Sequence, residues 1–337
     1  MNVSVIIPVY NEEKYIEETI MSIENQTYDK SKIEVIVVDG MSSDKTVDIL
    51  NNLKDQLNIS MKIEINKKRI APTAMNIGIK VATGDVIIRI DGHSYMDKNF
   101  IKEAISFISD REVDCVGGPI YTINNSFIGE AISKAMSCPF GVGNAKFRYS
   151  SEETYVDTLA FGAYKKDVFE EVGLFDEELV RNQDDEFNLR LVRSGGKILL
   201  TPNIKSYYYS RSSIKKLWKQ YFQYGYWKVR VIQKHKIPSS IRQLVPATFV
   251  TTIVTLSVLS IFSKIALVML SGILFLYITF SIVFSIMACK FKEKKFIGIL
   301  PMIFLILHIS YGIGFLKGIL DFGIFNKANS KYAISNR

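Results

Sequence analysis

Five short segments of the chain are almost wholly apolar: Val3–Val9, Ile33–Asp39, Met61–Ile65, Val86–Asp91 and Val113–Gly117. Near-continuous runs of this length, rich in Val and Ile, predict strands buried on both faces. Between them the pattern turns helical, over Glu12–Glu24, Asp44–Gln56, Pro72–Ala82 and Asp97–Ser109. Ser43-Asp44 and Asp97 suit helix N-caps, and Pro72 suits a first helical turn. Strand alternating with helix predicts an α/β fold with a doubly wound, mostly parallel sheet. Ligands of such sheets bind beyond the carboxyl ends of the strands, where the strand order reverses. The residues at those ends are Asn11-Glu12, Asp39-Gly40, Lys67-Lys68-Arg69 and Asp91-Gly92-His93.

The pattern changes toward the C-terminus. Leu244–Phe262 runs 19 residues without a charge, Ile265–Cys289 runs 25, and Phe296–Leu316 runs 21 with His308 as its single titratable group. About 20 apolar residues cross a bilayer core as a helix, so three transmembrane helices are expected within 243–320. Gly312, Gly314 and Gly318 loosen the end of the third. Just before them, Arg211–Arg242 holds nine basic residues interleaved with Trp218, Tyr221, Phe222, Tyr224, Tyr226 and Trp227. That mixture reads as an interfacial helix, or as a docking helix of the soluble domain. The expected organisation is a soluble domain over 1–210, a basic aromatic segment over 211–242, membrane helices over 243–320 and a tail over 321–337.

Charge sharpens the division. The formal net charge is +8, yet 32 of the 34 acidic side chains lie in residues 1–186. Residues 187–337 carry 22 basic groups against Glu293 and Asp321 alone. The positive half is also the apolar half, so membrane lipids, and no nucleic acid, are the expected partners. Cys115, Cys138 and Cys289 are odd in number and form no CxxC, which excludes a disulfide scaffold. Met1 leads straight into a strand-like run with no basic flank, so the soluble part is expected in the cytoplasm. Lys290, Lys292, Lys294 and Lys295 then lie inside, as the positive-inside rule asks. A third crossing puts Lys317, Lys327, Lys331 and Arg337 outside, against that rule.

The chain has no GxGxxG, no GxxxxGK[ST] and no HExxH, which argues against a dinucleotide, a Walker-type phosphate site and a zinc protease site. Asp39 could accept hydrogen bonds from a nucleobase or ribose, or serve as the turn residue of an Asp-Gly pair. Asp91 and His93 are two apart, so an extended backbone turns both to one side, where they could hold one divalent cation. Imidazole beside carboxylate suits Mn²⁺ better than an all-oxygen Mg²⁺ site. The alternative is a loop aspartate and an exposed histidine.

VSVIIPVYNEEKYIEETI, VIVVDGMSSDKTVDIL, APTAMNIGIKVATGDVIIRIDGHS and FDEELVRNQDDEFNLRLVRSGGKI, in that order, resemble the family 2 glycosyltransferases of the GT-A fold. The resemblance covers about Val3 to Lys236. The DGH variant, VGGP at 116–119, NQDDEFN and YFQYGYWKV at 221–229 are similar to the membrane-anchored bacterial branch that builds exopolysaccharide repeat units, like the succinoglycan-type glucosyltransferases. The resemblance implies that Pro8, Tyr10 and Glu12 line a nucleotide pocket and that Asp39 reads the base, typically uracil. It implies that Lys68 or Arg69 approaches the diphosphate and that Asp91 faces the ribose or the metal. His93 would be a metal ligand (Mn²⁺ or Mg²⁺) where the family's DxD has its second Asp. The catalytic base falls on Asp184, with Gln183 for the usual Glu and Asp185 as the alternative after a one-residue shift. Acids at a helix start are also what its macrodipole favours. Gln223 and Trp227 resemble a weak Gln-x-x-Arg-Trp motif without its Arg. Trp227 would stack on the acceptor sugar, while Lys219 and Lys228 would hold a lipid diphosphate, or the segment is an anchor only. The implied activity is inverting transfer of a sugar from a nucleotide-diphospho-sugar, typically a UDP-sugar, to a polyprenyl-linked saccharide acceptor at the cytoplasmic membrane. A processive polysaccharide synthase and a catalytically silent nucleotide-sugar sensor are the alternatives.

Overall fold

Parallel strands occupy the first half of the chain, as the apolar runs predict. β1 (Val3–Val9) pairs in parallel with β2 (Ile33–Asp39) and β4 (Val86–Arg89), and β2 pairs in parallel with β3 (Ser60–Ile65). The structure, a computed structural model, describes residues 1–210 and 212–326, without the side chain of Lys292. Expectations placed on Arg211, Lys327, Lys331 and Arg337 lie outside the described residues. The chain divides into two units, one of residues 1–122 and 150–209 and the other of 123–149 and 210–326, among those described.

In the first unit the crossovers are α1 (Ile16–Glu24), α2 (Thr46–Lys54) and α3 (Ala71–Val81). After β4 come β5 (Ser94–Met96), α4 (Phe100–Asp110), β6 (Cys115–Gly117) and β7 (Ile120–Ile123). The chain returns with β8 (Thr154–Tyr155), β9 (Gly162–Lys165), β10 (Ile198–Leu200) and β11 (Ser206–Tyr209). The main sheet has the order β3-β2-β1-β4-β9-β6-β10-β8, and β5-β11-β7 form a small second sheet. β9 runs antiparallel to both β4 and β6, so the sheet is mixed at its centre. Strand order reverses between β1 and β4, which sets a crevice at their carboxyl ends.

The main core cluster of this unit packs alternate residues on one face of the sheet, Val3, Val5, Ile7, Val35, Val37, Val86 and Ile88, all fully buried, against α1, α2 and α4. α1 begins four residues later than the pattern predicts. Asn11 takes a left-handed backbone (φ +56°), and the N–H groups of Tyr15 and Ile16 both close on the Glu12 carbonyl as a turn. Asp44 accepts from the N–H and hydroxyl of Thr46, and Asp97 from the N–H of Asn99. Both aspartates therefore shape the approach to a helix from just outside it.

The second unit is helical: α5 (Phe127–Met136), α6 (Pro139–Val142), α9 (Ile214–His235), α10 (Val245–Leu259), α11 (Lys264–Ala288) and α12 (Leu300–Gly318). Two helices of the first unit, α7 (Val168–Glu171) and α8 (Gln183–Arg193), complete the numbering. The expected 1–210 domain thus gives up residues 123–149, because α5 and α6 pack Ile132, Ala135, Met136 and Cys138 against Phe304 and Leu307 of α12. α12 continues as a π-helical turn over Ile319–Ile324, past the expected end at residue 320. Three segments, Ile241–Leu259, Lys264–Ala288 and Leu300–Ile324, are long and apolar enough to cross a membrane.

Candidate active site

Pro8 and Tyr10 leave the end of β1, Gly40 follows β2, and Asn66 and Arg69 follow β3; together they line one cleft with Ala71 and Ala74 of α3. The Arg69 guanidinium lies 5.8 Å from the Tyr10 ring centre, a cation–π contact, and Arg69 holds a left-handed backbone (φ +58°). An aromatic face, a cation and a proline edge in one cleft suit a flat base with a phosphate chain attached. Asp39 stands beside this cleft at the end of β2. Its carboxylate is buried and accepts from the Ser42 N–H (3.1 Å) and from the Ser42 hydroxyl (2.6 Å). Lys68 points elsewhere, 2.6 Å from the Glu177 carboxylate.

Glu12, expected in the nucleotide pocket, is not among the residues that line this cleft. It is buried, its N–H donates to Thr46 Oγ1 (2.8 Å), and its Oε1 lies 3.0 Å from His93 Nδ1. Gly92 makes that approach possible, since a Cβ there would stand 2.9 Å from Val9 Cγ1 and 3.1 Å from Glu12 Cγ. A carboxylate on one ring nitrogen fixes the tautomer and orients the other nitrogen, the arrangement that metal-bound histidines use. Among the described residues no group of three or more His, Cys, Asp or Glu gathers to hold a metal. Asp91 and His93 alone would leave most of a divalent ion's coordination shell to be filled by other oxygens, such as those of a diphosphate.

Between Asp91 and Asp184 lies a residue that the sequence reading passed over. Arg89, on β4, is buried; its Nη2 is 3.2 Å from Asp91 Oδ1 and its Nη1 is 3.6 Å from Asp184 Oδ2. Burial alone would depress the guanidinium's pKa, but Asp91 and Asp184 outweigh it and raise the pKa, holding the positive charge. Asp184 opens α8, where Asn182 takes the left-handed backbone that precedes the helix (φ +63°). Its carboxylate keeps 29% of its surface exposed, against 15% for Asp91. Asp184 Oδ1 accepts from the Asp185 N–H (3.0 Å), and Glu186 is turned inward onto Arg190 (2.8 Å). Of the three consecutive acids, Asp184 is the one set on Arg89. The signal for Arg89 was present: a lone cation inside the apolar strand VIIRI must find carboxylates to be tolerated there.

Gln223 and Trp227 are corrected as acceptor contacts. Both are buried; Trp227, 1% exposed, packs edge-on to Tyr226 and against Phe322 in the last turn after α12. A ring enclosed by other rings offers no face to a sugar. Trp218, one face round the same helix, is 39% exposed.

These features define a nucleotide-binding α/β enzyme fold with an acidic site at its sheet reversal. The sequence matches the glycosyl transferase family 2 model over residues 4–173. It is 33% identical to the dolichyl N-acetyl-alpha-D-glucosaminyl phosphate 3-beta-D-2,3-diacetamido-2,3-dideoxy-beta-D-glucuronosyltransferase of Methanococcus voltae, covering 94% of this chain and 97% of that one. It is 24% identical to the succinoglycan biosynthesis protein ExoA of Rhizobium meliloti, over 94% and 95% of the two chains. Among solved structures, the mannosyltransferase PcManGT from Pyrobaculum calidifontis in complex with GDP-Man and Mn²⁺ shares the fold. Its TM-score is 0.63 at 18% identity, over 95% of this chain and 87% of that one. The chain belongs to glycosyltransferase family 2. It is a GT-A enzyme of the class that acts on nucleotide sugars.

Proposed function

We propose that the chain is an inverting glycosyltransferase that moves a sugar from a UDP-sugar to a lipid-linked saccharide at the cytoplasmic membrane. The observation that carries this is the single Arg89 guanidinium holding both Asp91 and Asp184, the more exposed of the two acids. The relative from Methanococcus voltae, named for a dolichyl phosphate substrate, supports the acceptor class.

In this reading Pro8, Tyr10 and Arg69 hold the base and its phosphate chain, with Asp39 at the base's edge. Asp184 accepts the proton of the acceptor hydroxyl, and that oxygen attacks the anomeric carbon from the face opposite the diphosphate. The glycosidic carbon–oxygen bond forms as the bond to the diphosphate oxygen breaks, so one displacement inverts the anomeric centre. Arg89 holds Asp184 and Asp91 in place by ion pairing, with no motion needed as charge develops. Asp91 and His93 would hold the divalent ion, which supplies charge neutralisation for the departing diphosphate.

The test is nucleotide release by the detergent-solubilised protein over a panel of nucleotide sugars with Mn²⁺ and polyprenyl-phosphate-linked acceptors. Release with one UDP-sugar, abolished in Asp184→Asn, is the expected result. Nucleotide binding without release from any donor–acceptor pair overturns the catalytic reading.

A further inference from the structure

α9 and α12 lie side by side and run in the same direction. Leu217 and Tyr221 join the cluster around Phe304 and Leu307, Gly314 faces the Phe222 carbonyl, and Gly318 faces that of Tyr226. Farther on, the Tyr226 hydroxyl donates to Asp321 (3.0 Å) and the Gln233 side-chain amide to the Phe322 carbonyl (3.1 Å). The seam is close because it is lined with glycine. A Cβ at Gly225 would stand 2.0 Å from the Tyr311 carbonyl oxygen, and one at Gly314 would stand 2.0 Å from the Phe222 carbonyl oxygen.

The partner that α12 keeps over this length is highly charged. α9 carries Lys215, Lys216, Lys219, Lys228, Arg230 and Lys234 and no acid, and Lys215, Lys216, Lys219 and Lys234 are exposed. Cations spread over a 22-residue helix cannot be carried through hydrocarbon, where each is costly and must reach water or a partner. A helix bound along that length cannot cross alone either. α10 and α11 differ. Of the most apolar stretch, 44% is buried within the protein for α12 but 6% for α11. α11 exposes apolar side chains from Ile265 to Met287, roughly 33 Å of helix, about a bilayer core.

We infer that only the α10–α11 hairpin traverses the bilayer, and that α12 returns to lie with α9 along the membrane surface on the catalytic side. Met302, Leu305, Ile313 and Leu320 form an exposed apolar stripe on α12 that meets the acyl chains. Trp218 and the exposed lysines of α9 sit at the headgroups, where aromatic and cationic side chains are favoured. The conflict over positive charge disappears. Lys290, Lys294, Lys295 and Lys317 all fall on the catalytic side, and Ser263-Lys264 is the single turn on the other.

Ser263→Cys and Asn326→Cys, each in the full chain in intact cells, would be treated with a membrane-impermeant maleimide before and after lysis. Cys289, between α11 and α12, serves as the catalytic-side background. The expected result is labelling of Ser263→Cys in intact cells and of Asn326→Cys after lysis alone. Labelling of Asn326→Cys from outside, or loss of outside labelling at Ser263→Cys, overturns the inference. A C-terminal phosphatase fusion, active outside the reducing compartment and expected here to be silent, reads the same side without altering a residue.

Discussion

The reversal point of the sheet and the inner face of α9 both bury polar side chains among apolar ones, and to opposite ends. At the sheet, the buried groups are the Arg89 guanidinium, the His93 imidazole and the Glu12 carboxylate, and Asp91 and Asp184 stay partly open to solvent. On α9 the buried residues include Gln223 and Lys228 beside three rings, of which Tyr226 and Trp227 fill the space beside Phe322. The first arrangement stores charge beside an opening; the second fills a seam. Buried polar residues thus hold fixed charge in one region and sit within a packed seam in the other, and what separates them is access to solvent next to fixed charge.

The largest effect that could break this comparison is at Asp184. Asp184→Asn keeps the shape and removes the base, so turnover should fall by about 10²–10⁴-fold with nucleotide-sugar binding retained. Asp185→Asn should change turnover far less. Equal losses in the two variants, measured as initial rates on one donor, would remove the distinction drawn between them. Arg89 comes next. Arg89→Met leaves two carboxylates facing each other without their cation, and should cost about 3 kcal/mol of unfolding free energy, less than a fully enclosed pair because both acids retain solvent. Arg89→Lys should recover part of it. A melting curve unchanged in Arg89→Met would mean that the guanidinium is incidental to the site.

How much of this was legible beforehand follows from the same contrast. β1 and β2 are found at the residues their apolar runs mark, because strands covered on both faces exclude charge until they end. Residues just past a parallel strand fall at the rim whatever else the fold does, so Tyr10 and Arg69 line the cleft there. Direction beyond the rim was not legible. Glu12 turned to His93 because Asn11 bends the chain and Gly92 leaves room, and the second is a contact between segments distant in sequence. Trp227 was misplaced for a related reason: every face of a helix rich in Tyr, Trp and Lys looks usable until its partner is known, and α12 chose the face. The antiparallel insertion of β9 left no local signal, since it pairs across strands far apart in the chain.

A smaller effect sharpens the packing half of the comparison. Trp227→Leu should cost about 2–3 kcal/mol by leaving a cavity beside Phe322. The KM for the acceptor should stay unchanged in the folded protein. A raised KM at an unaltered melting temperature would return Trp227 to the acceptor site.

The smallest effect lies at the opposite end of the same strands and isolates scaffold from site. Glu34 Oε1 accepts from the Ser4 hydroxyl (2.6 Å) and from the N–H (2.6 Å) and hydroxyl (2.8 Å) of Thr83, and Lys62 lies 3.0 Å from Oε2. Burial would raise its pKa, yet these donors outweigh burial and hold it at about 2, below an ordinary value of 4.5. A depressed carboxylate stabilises the fold above its unfolded pKa, and that stability is lost as pH falls through the folded value. The loss therefore runs from about pH 4.5 down to about pH 2. Solvent screens part of this carboxylate, so its contribution is about 1–2 kcal/mol. Glu34→Gln should lower the melting temperature at neutral pH, flatten its fall across that acid range, and leave turnover at pH 7 unchanged. A turnover loss approaching that of Asp184→Asn would show that the two ends of the strands do not act separately, and the division between scaffold and site would fail at its simplest point.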